Sequence, residues 1–407
     1  MVSLRIGLRG GTALADVDAA GFVRRAGQQT KVLGWWVAAD DRWHDPRVEP
    51  SRRQRMLDGT PVIETKIAVP GGDVVQRAFM VADHGGCVVM EVANESPTAV
   101  VVAVPTDGLA TDAVATPTEP RGVELPSDVR AFPLAHRSNL HFAWRADARP
   151  APISAGAFAS WSQVVRGWLS ACERASRITL NTHSIVAARS ELLLATVREI
   201  DDLLQGDAAR GVLAIAERVR MGEPSAPHVE QVADAARRLL RKPRAQWAGR
   251  ALVMAARVLA AADESLASSD VAAAWAEVAS SAGAGPVGLA SDEGRGNAAT
   301  GAMNPVASAV DVVASAEDAL VRAVSPHEAE LFSGGLADAV RGVNLEAHGL
   351  SAGPQHTVSL AVRWHGPNAA VLWEVDGPPG LKLRAPRIDE TFVVSSQRGE
   401  GLMRLGQ

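Results

Sequence analysis

The sequence predicts a multidomain α and β protein in the order β, α, β. An N-terminal antiparallel β-sandwich is expected over residues 1–152, an α/α-hairpin bundle over 153–327 and a small C-terminal β-domain over 328–407. Three observations carry that expectation. The chain of 407 residues exceeds what one ordinary core accommodates, so two or three domains are expected. The hydrophobic period is two in the outer zones and helical between them. Turn-forming residues punctuate the first zone at roughly ten-residue spacing, the habit of an antiparallel sandwich.

In the first zone the strands are "SLRIGLR", "VLGWWVA", "PVIETKIAV", "VVQRAFMV", "CVVMEVAN" and "AVVVAV". "PGGD", "DHGG" and "NESP" supply the turns between them, since Gly tolerates positive φ and Asn and Asp bond their own backbone. The helical period begins with "AFASWSQVVRGWLSACERAS", a helix bridging sandwich and bundle. In "SIVAARSELLLATVREIDDLLQG", Val186, Leu193, Val197, Ile200 and Leu204 share one face, which predicts one helix with Ser184 as N-cap and Gly206 just past its end. "DAARGVLAIAERVRMG", "PHVEQVADAARRLLRK", "AQWAGRALVMAARVLAAADES" and "SDVAAAWAEVASS" predict further helices. Short connections make neighbours antiparallel. Residues 282–305 are Gly-rich and aperiodic, a loop, and "PVASAVDVVASAEDALVRAV" predicts a last helix. Beyond it Val358, Leu360, Val362 and Trp364 alternate with polar and small residues. Val371, Trp373 and Val375 continue the alternation after "GPN", a hairpin; "GLKLRAP" and "ETFVVSS" add two strands.

Composition narrows the function classes. A net charge of −5 and a pI near 6.1 argue against a duplex nucleic-acid partner. The chain lacks an apolar run near the roughly 18 residues that span a bilayer, and its start lacks an apolar signal segment, so a cytoplasmic protein with no membrane partner is expected. Cys87 and Cys172 match no metal or redox spacing and read as buried thiols; no cofactor and no metal is expected. The chain has no tyrosine, and its abundance of Ala, Arg and Val has the look of a high-GC coding bias.

Most motifs have a bland reading. Gly283, Gly285 and Gly288 match G-x-G-x-x-G, but a helix precedes them and Pro286 removes a donor, so a loop is the better reading. His327-Glu328 lacks the second His of a zinc helix. Ser325, Pro326 and Glu328 read instead as a helix-capping box. The acidic clusters are Asp40-Asp41, Glu199 with Asp201 and Asp202, and Asp292-Glu293; Asp201 and Asp202 follow Arg198 at the spacing of helix-surface ion pairs. One tripeptide occurs twice: Arg42-Trp43-His44 and Arg363-Trp364-His365, each ending an apolar run before a Pro-containing turn. Sugars stack on exposed indoles. Trp36, Asp41, Arg42, Trp43 and His44 are therefore the candidate saccharide contacts, set against a reading in which Trp43 and Trp364 are packing anchors.

Several stretches together resemble the bacterial six-hairpin glycosidase superfamily, especially glucoamylase-like proteins of high-GC bacteria. They are "GWWVAADDRWHDP" with "RQRMLDGTPVIETKIAVPGGDVVQRAF", "VVRGWLSACERASRITL" leading into "ARSELLLA", and "VNLEAHGL" before "HTVSLAVRWHGPNAAVLWEV". The resemblance implies a β-sandwich, an (α/α)-barrel and a small β-domain, and a place in carbohydrate metabolism. A full barrel of this type needs twelve helices. Only about 130 residues separate "LLLA" from "SPHEAELF", room for about six, so the bundle reads as a shortened, partial (α/α)-toroid. No catalytic acid or base is carried over, because no matching motif is present. The expectation is a degenerate, non-catalytic glycosidase-like protein that binds a saccharide or acts as a scaffold. Two alternatives stand beside it. One is an active glycoside hydrolase with two carboxyl groups about 5–9.5 Å apart across a cleft. The other is an interaction module that forms a homo-oligomer through helix faces.

Overall fold

The computed structural model describes residues 3–25, 32–116, 127–146, 158–243, 245–281, 304–335, 342–365 and 368–403. The chain forms two compact units, residues 1–169 and 170–407. The expected Gly-rich segment, with Gly283, Gly285, Gly288 and Asp292-Glu293, lies outside the described residues.

The first unit is antiparallel β. Its six-stranded sheet runs Leu109–Ala110, Asn139–Arg145, Cys87–Asn94, Gly72–Val81, Ile63–Val69, Arg53–Met56. A four-stranded sheet is ordered Val129–Leu134, Val100–Pro105, Trp36–Ala38, Trp43–His44; a second follows chain order through Leu4–Gly7, Leu14–Val17, Val23–Arg25 and Val32–Leu33. Alternation sends Val88, Met90 and Val92 into the main core with Val102, Val104, Phe132 and Trp144. Cys87 and Val89 point the other way, into a second cluster with Phe79, Val81 and Val165 of helix α1 (Trp161–Glu173). Burial on both faces explains why "CVVMEVAN" reads as an almost unbroken apolar run. The turn at Gly21 has φ +80°, and a Cβ there would lie 2.7 Å from Gln76 Oε1 and 2.8 Å from Thr65 Oγ1. Only glycine fits that approach.

The second unit holds helices α2 (Thr182–Leu194), α3 (Val197–Gly206), α4 (Ala208–Arg220), α5 (Val229–Leu240), α6 (Ala248–Ala261), α7 (Ser265–Ser281) and α8 (Pro305–Leu320). Helix α4 is central, packing against α2, α3, α5, α6 and α8. The stretch expected as one long helix is two, α2 and α3. Ala195 leaves the helix at ψ 133°, and Thr196 with Glu199 closes a capping box: Thr196 Oγ1 accepts from Glu199 N at 3.2 Å, and Glu199 Oε2 accepts from Thr196 N at 2.8 Å. Asn181, in the left-handed region, precedes α2 in place of Ser184. Gly206 is the last residue of α3, and Asp207 both ends α3 and caps α4 by accepting from Ala209 N and Arg210 N at 3.1 Å. Gly211 lets these helices touch, since a Cβ on it would sit 2.4 Å from Leu204 Cα.

The expected last helix stops at Leu320 and passes directly into a strand, Val321–Ser325. The predicted capping box at Ser325, Pro326 and Glu328 is instead a turn between this strand and Glu328–Leu331, with His327 N donating to Ser325 Oγ at 3.3 Å. Period two wins here because Val321, Ala329 and Leu331 alternate into the core, each 0% exposed. These strands continue into Lys382–Ala385, which pairs parallel to Glu328–Leu331, and Asp389–Val394. A five-stranded sheet, Arg177–Ile178, Leu345–Ser351, Thr357–His365, Asn368–Asp376, Arg398–Met403, shares one core with them. The predicted hairpin forms in register from Thr357 opposite Asp376 to His365 opposite Asn368.

Candidate functional site

Four of the five candidate saccharide contacts gather where Trp43–His44 pairs with Trp36–Ala38. His44 is 2% exposed; its Nδ1 lies 3.0 Å from Glu49 Oε1 and its Nε2 3.0 Å from Asp41 Oδ1. The imidazolium form donates to both carboxylates, the neutral form to one. Arg42 closes the group, its Nη1 donating to Glu49 Oε1 at 2.6 Å and Nη2 to Oε2 at 3.2 Å, a bidentate pair. The His44 bond holds the Asp41 carboxyl below its ordinary pKa, and the Glu49 bond raises that of Arg42. Asp41 and Arg42 keep about half of their side chains in solvent, at 42% and 54%, and Trp43 is half-buried at the rim of the core. Trp36 is the member set apart. It is 3% exposed, its ring meets Phe22 edge-on at 5.3 Å, and the Arg47 guanidinium lies 5.8 Å from its centroid. Its indole is buried and out of a sugar's reach.

A second polar group crosses the six-stranded sheet. Arg55, Glu64, Arg77, Glu91 and His141 stand directly opposite one another on five consecutive strands. Each neighbour bonds the next: Arg55 Nε to Glu64 at 3.0 Å, Arg77 Nε to Glu64 at 2.9 Å, Arg77 Nη1 to Glu91 at 2.8 Å, and His141 Nε2 lies 3.0 Å from Glu91. The indole of Trp161 covers Arg77 at 4.7 Å. Burial alone would raise the pKa of both glutamates. For Glu64 the arginines outweigh it, and for Glu91 His141 and Arg77 do, so both lie below their ordinary values.

The third group lies inside the helical bundle. Glu317 of α8, 1% exposed, accepts from Ser176 Oγ at 2.6 Å, from Arg189 Nη2 of α2 at 3.0 Å, from both terminal nitrogens of Arg220 of α4 at 3.0 Å, and from Arg250 of α6. Glu217 of α4 accepts from Arg189 Nε at 2.8 Å and Arg220 Nη1 at 2.7 Å, and Asp318 accepts from Arg250. Burial would raise the Glu317 pKa, but Arg220, Arg250 and Arg189 hold it far below the carboxylate range. For Asp318, burial outweighs Arg250 and the pKa goes up. Beside the network is a cleft with room for roughly one water, lined by Leu192, Leu213, Glu217, Arg250, Met254 and Val310 among others.

The second Arg-Trp-His tripeptide lies in the second unit. Arg363 donates to Glu346, holding its pKa down, and Trp364 Nε1 donates to Val343 O at 2.8 Å. The His365 side chain lies outside the described residues. Trp373 is 6% exposed and meets Phe392 edge-on at 5.7 Å. Arg198 and Asp202 form the predicted surface ion pair at 3.7 Å, and Asp201 accepts from Gln231 Nε2. Among the described residues no group of three His, Cys, Asp or Glu is placed to hold a metal ion.

Sequence reasoning missed Glu49 and the bundle network. A signal for the latter existed: Ile185, Arg189 and Leu192, or Val310, Val313 and Glu317, place a charge within an apolar helical stripe. No protein-family model matches the sequence, and no curated protein matches it at a significant level.

Proposed function

We propose that the chain is a glycosidase-like protein of carbohydrate metabolism that binds a saccharide without hydrolysing it, through Asp41, Arg42 and Trp43. One observation carries the non-catalytic part. All six buried glutamates among the described residues, Glu49, Glu64, Glu91, Glu217, Glu317 and Glu330, are bonded to arginine. A general acid for glycoside chemistry needs a carboxyl kept protonated near neutrality, which an arginine partner opposes; Asp318, the buried carboxyl whose pKa burial raises, is itself bonded to Arg250. The binding part is supported by the exposed carboxylate and guanidinium beside a half-buried indole, all braced by buried His44 and Glu49. Bidentate and planar groups of this kind suit sugar hydroxyls, and an indole face suits the apolar face of a pyranose.

The test joins a glycan array to a panel of aryl glycosides. We expect retention of at least one glycan class, loss of that signal in Arg42→Ala and Trp43→Ala, and no turnover above buffer. Turnover abolished by a single carboxylate substitution, with Asp318→Asn the first to try, would establish an active hydrolase instead. An array with no binding, together with a dimeric mass in size-exclusion chromatography, would favour the interaction module.

A further inference from the structure

Among the described residues, the guanidiniums at the ionic centre of the bundle are balanced by acids, and Arg257 beside them is not. Arg189, Arg220 and Arg250 face Glu217, Glu317 and Asp318, three charges against three, and Arg218 has Glu223. Arg257, in the last turn of α6, has no carboxylate partner among the described residues. Its Nη1 donates to backbone oxygens, Gly353 O at 3.1 Å, His356 O at 3.2 Å and Pro354 O at 3.5 Å. Its Nε and Nη2 have no acceptor among the described residues, and neither atom is sealed from solvent. Burial, followed by repulsion from Arg220 and Arg250, brings its pKa down to about 10. Glu317, the acid whose charge acts on Arg257, is already engaged by three guanidiniums and a hydroxyl. The final carbonyls of α6 do not compete for the open edge, because Ala262, Asp263 and Glu264 N–H groups cap them.

We propose that the Nε–Nη2 edge of Arg257 is a binding site for a small oxyanion, a carboxylate or a phosphate. That edge presents two parallel N–H donors, the geometry that two oxygens of either group accept bidentately. The ligand supplies the negative charge that Glu317, committed to three other guanidiniums, does not. The site lies in the second unit and does not depend on saccharide binding at Asp41, Arg42 and Trp43.

Isothermal titration of the full chain with inorganic phosphate, a hexose phosphate and a hexuronate tests it at low ionic strength. We expect saturable binding of at least one, weakened roughly tenfold or more in Arg257→Gln and clearly weakened in Arg257→Lys, which keeps the charge and loses the fork. Arg241→Gln, an exposed arginine after α5, should bind as the wild type does. Preference for phosphate over hexuronate, or the reverse, identifies the oxyanion. The proposal fails if the wild-type chain binds none of the three up to tens of millimolar, or if Arg257→Lys binds as tightly as wild type. Because Arg257→Lys retains the charge, it also serves if the glutamine variant does not fold.

Discussion

Glu317 and Asp318 are neighbours in sequence, yet burial acts on them in opposite senses. Glu317→Gln would leave Arg189, Arg220 and Arg250 around a neutral amide, and removing one partner of a buried ionic group costs about 3–5 kcal/mol. Asp318 already has its pKa pushed up, so Asp318→Asn removes a charge the site disfavours and should cost less than Glu317→Gln. Urea titrations of the two variants check the order. The pH dependence follows from the same directions. Glu317, Glu64 and Glu91 have depressed pKa values, so their stabilisation is present above the unfolded carboxylate range and is lost as pH falls through the folded values. Asp318 runs the other way: its contribution is present at low pH and is lost as pH rises through its raised value. Melting temperatures between neutral pH and pH 3 should therefore fall steeply in the wild type and less so in Glu317→Gln. At this scale the sequence disclosed the polar character of Arg42 and His44. It hid Glu49, which lies in a loop where no period ties it to His44. It also hid the arginines of the bundle, because a charge in an apolar stripe looks like a surface charge until its partner on another helix is known.

Among the elements, the α3–α4 contact is the most exacting. Gly211→Ala gains about 1 kcal/mol of helix propensity. The added methyl must nevertheless displace the Leu204 backbone, since its carbon would lie 2.4 Å from Leu204 Cα. Overpacking of this kind costs about 1–3 kcal/mol, so the variant should be destabilised on balance, read as a lower melting temperature. Thr196→Ala removes the capping box and should cost about 1 kcal/mol in the same measurement. The box was visible as Thr196-x-x-Glu199, but the apolar positions of α2 and α3 happen to continue one helical face across the break, and periodicity overrode the cap. The strand at Val321 was missed for a related reason: "EDALVRAV" satisfies both periods, and the choice between them is made by the facing sheet. The hairpin at Thr357–Asp376 posed no such ambiguity, because its alternation is long and bounded by Gly-Pro.

At the scale of the molecule, the β, α, β order was readable because a change of hydrophobic period needs no partner to be seen. The grouping was not. The helices and the C-terminal strands form one unit because Arg220 bonds Gly349 O, Arg257 bonds Gly353 O, and α8 runs into Val321 without a connecting loop. Such ties join residues far apart in sequence and leave no local trace. Damage to the ionic centre should then stay within this unit. In Glu317→Gln, hydrogen–deuterium exchange should quicken in α2, α4 and α8 and in the strand Val321–Ser325, with the strand Cys87–Asn94 as protected as in the wild type. Unchanged exchange in the strand Val321–Ser325 would contradict that.

The ladder across the six-stranded sheet bears on how this chain can change over generations. Arg77 answers to Glu64 on one side and Glu91 on the other, and each of those to a further rung. A reversal of sign at Arg77 alone would set like charges opposite each other on two strands at once. Drift at these codons is therefore correlated: descendants of this sequence should keep all three residues, or replace all three by apolar ones, with few intermediates in between.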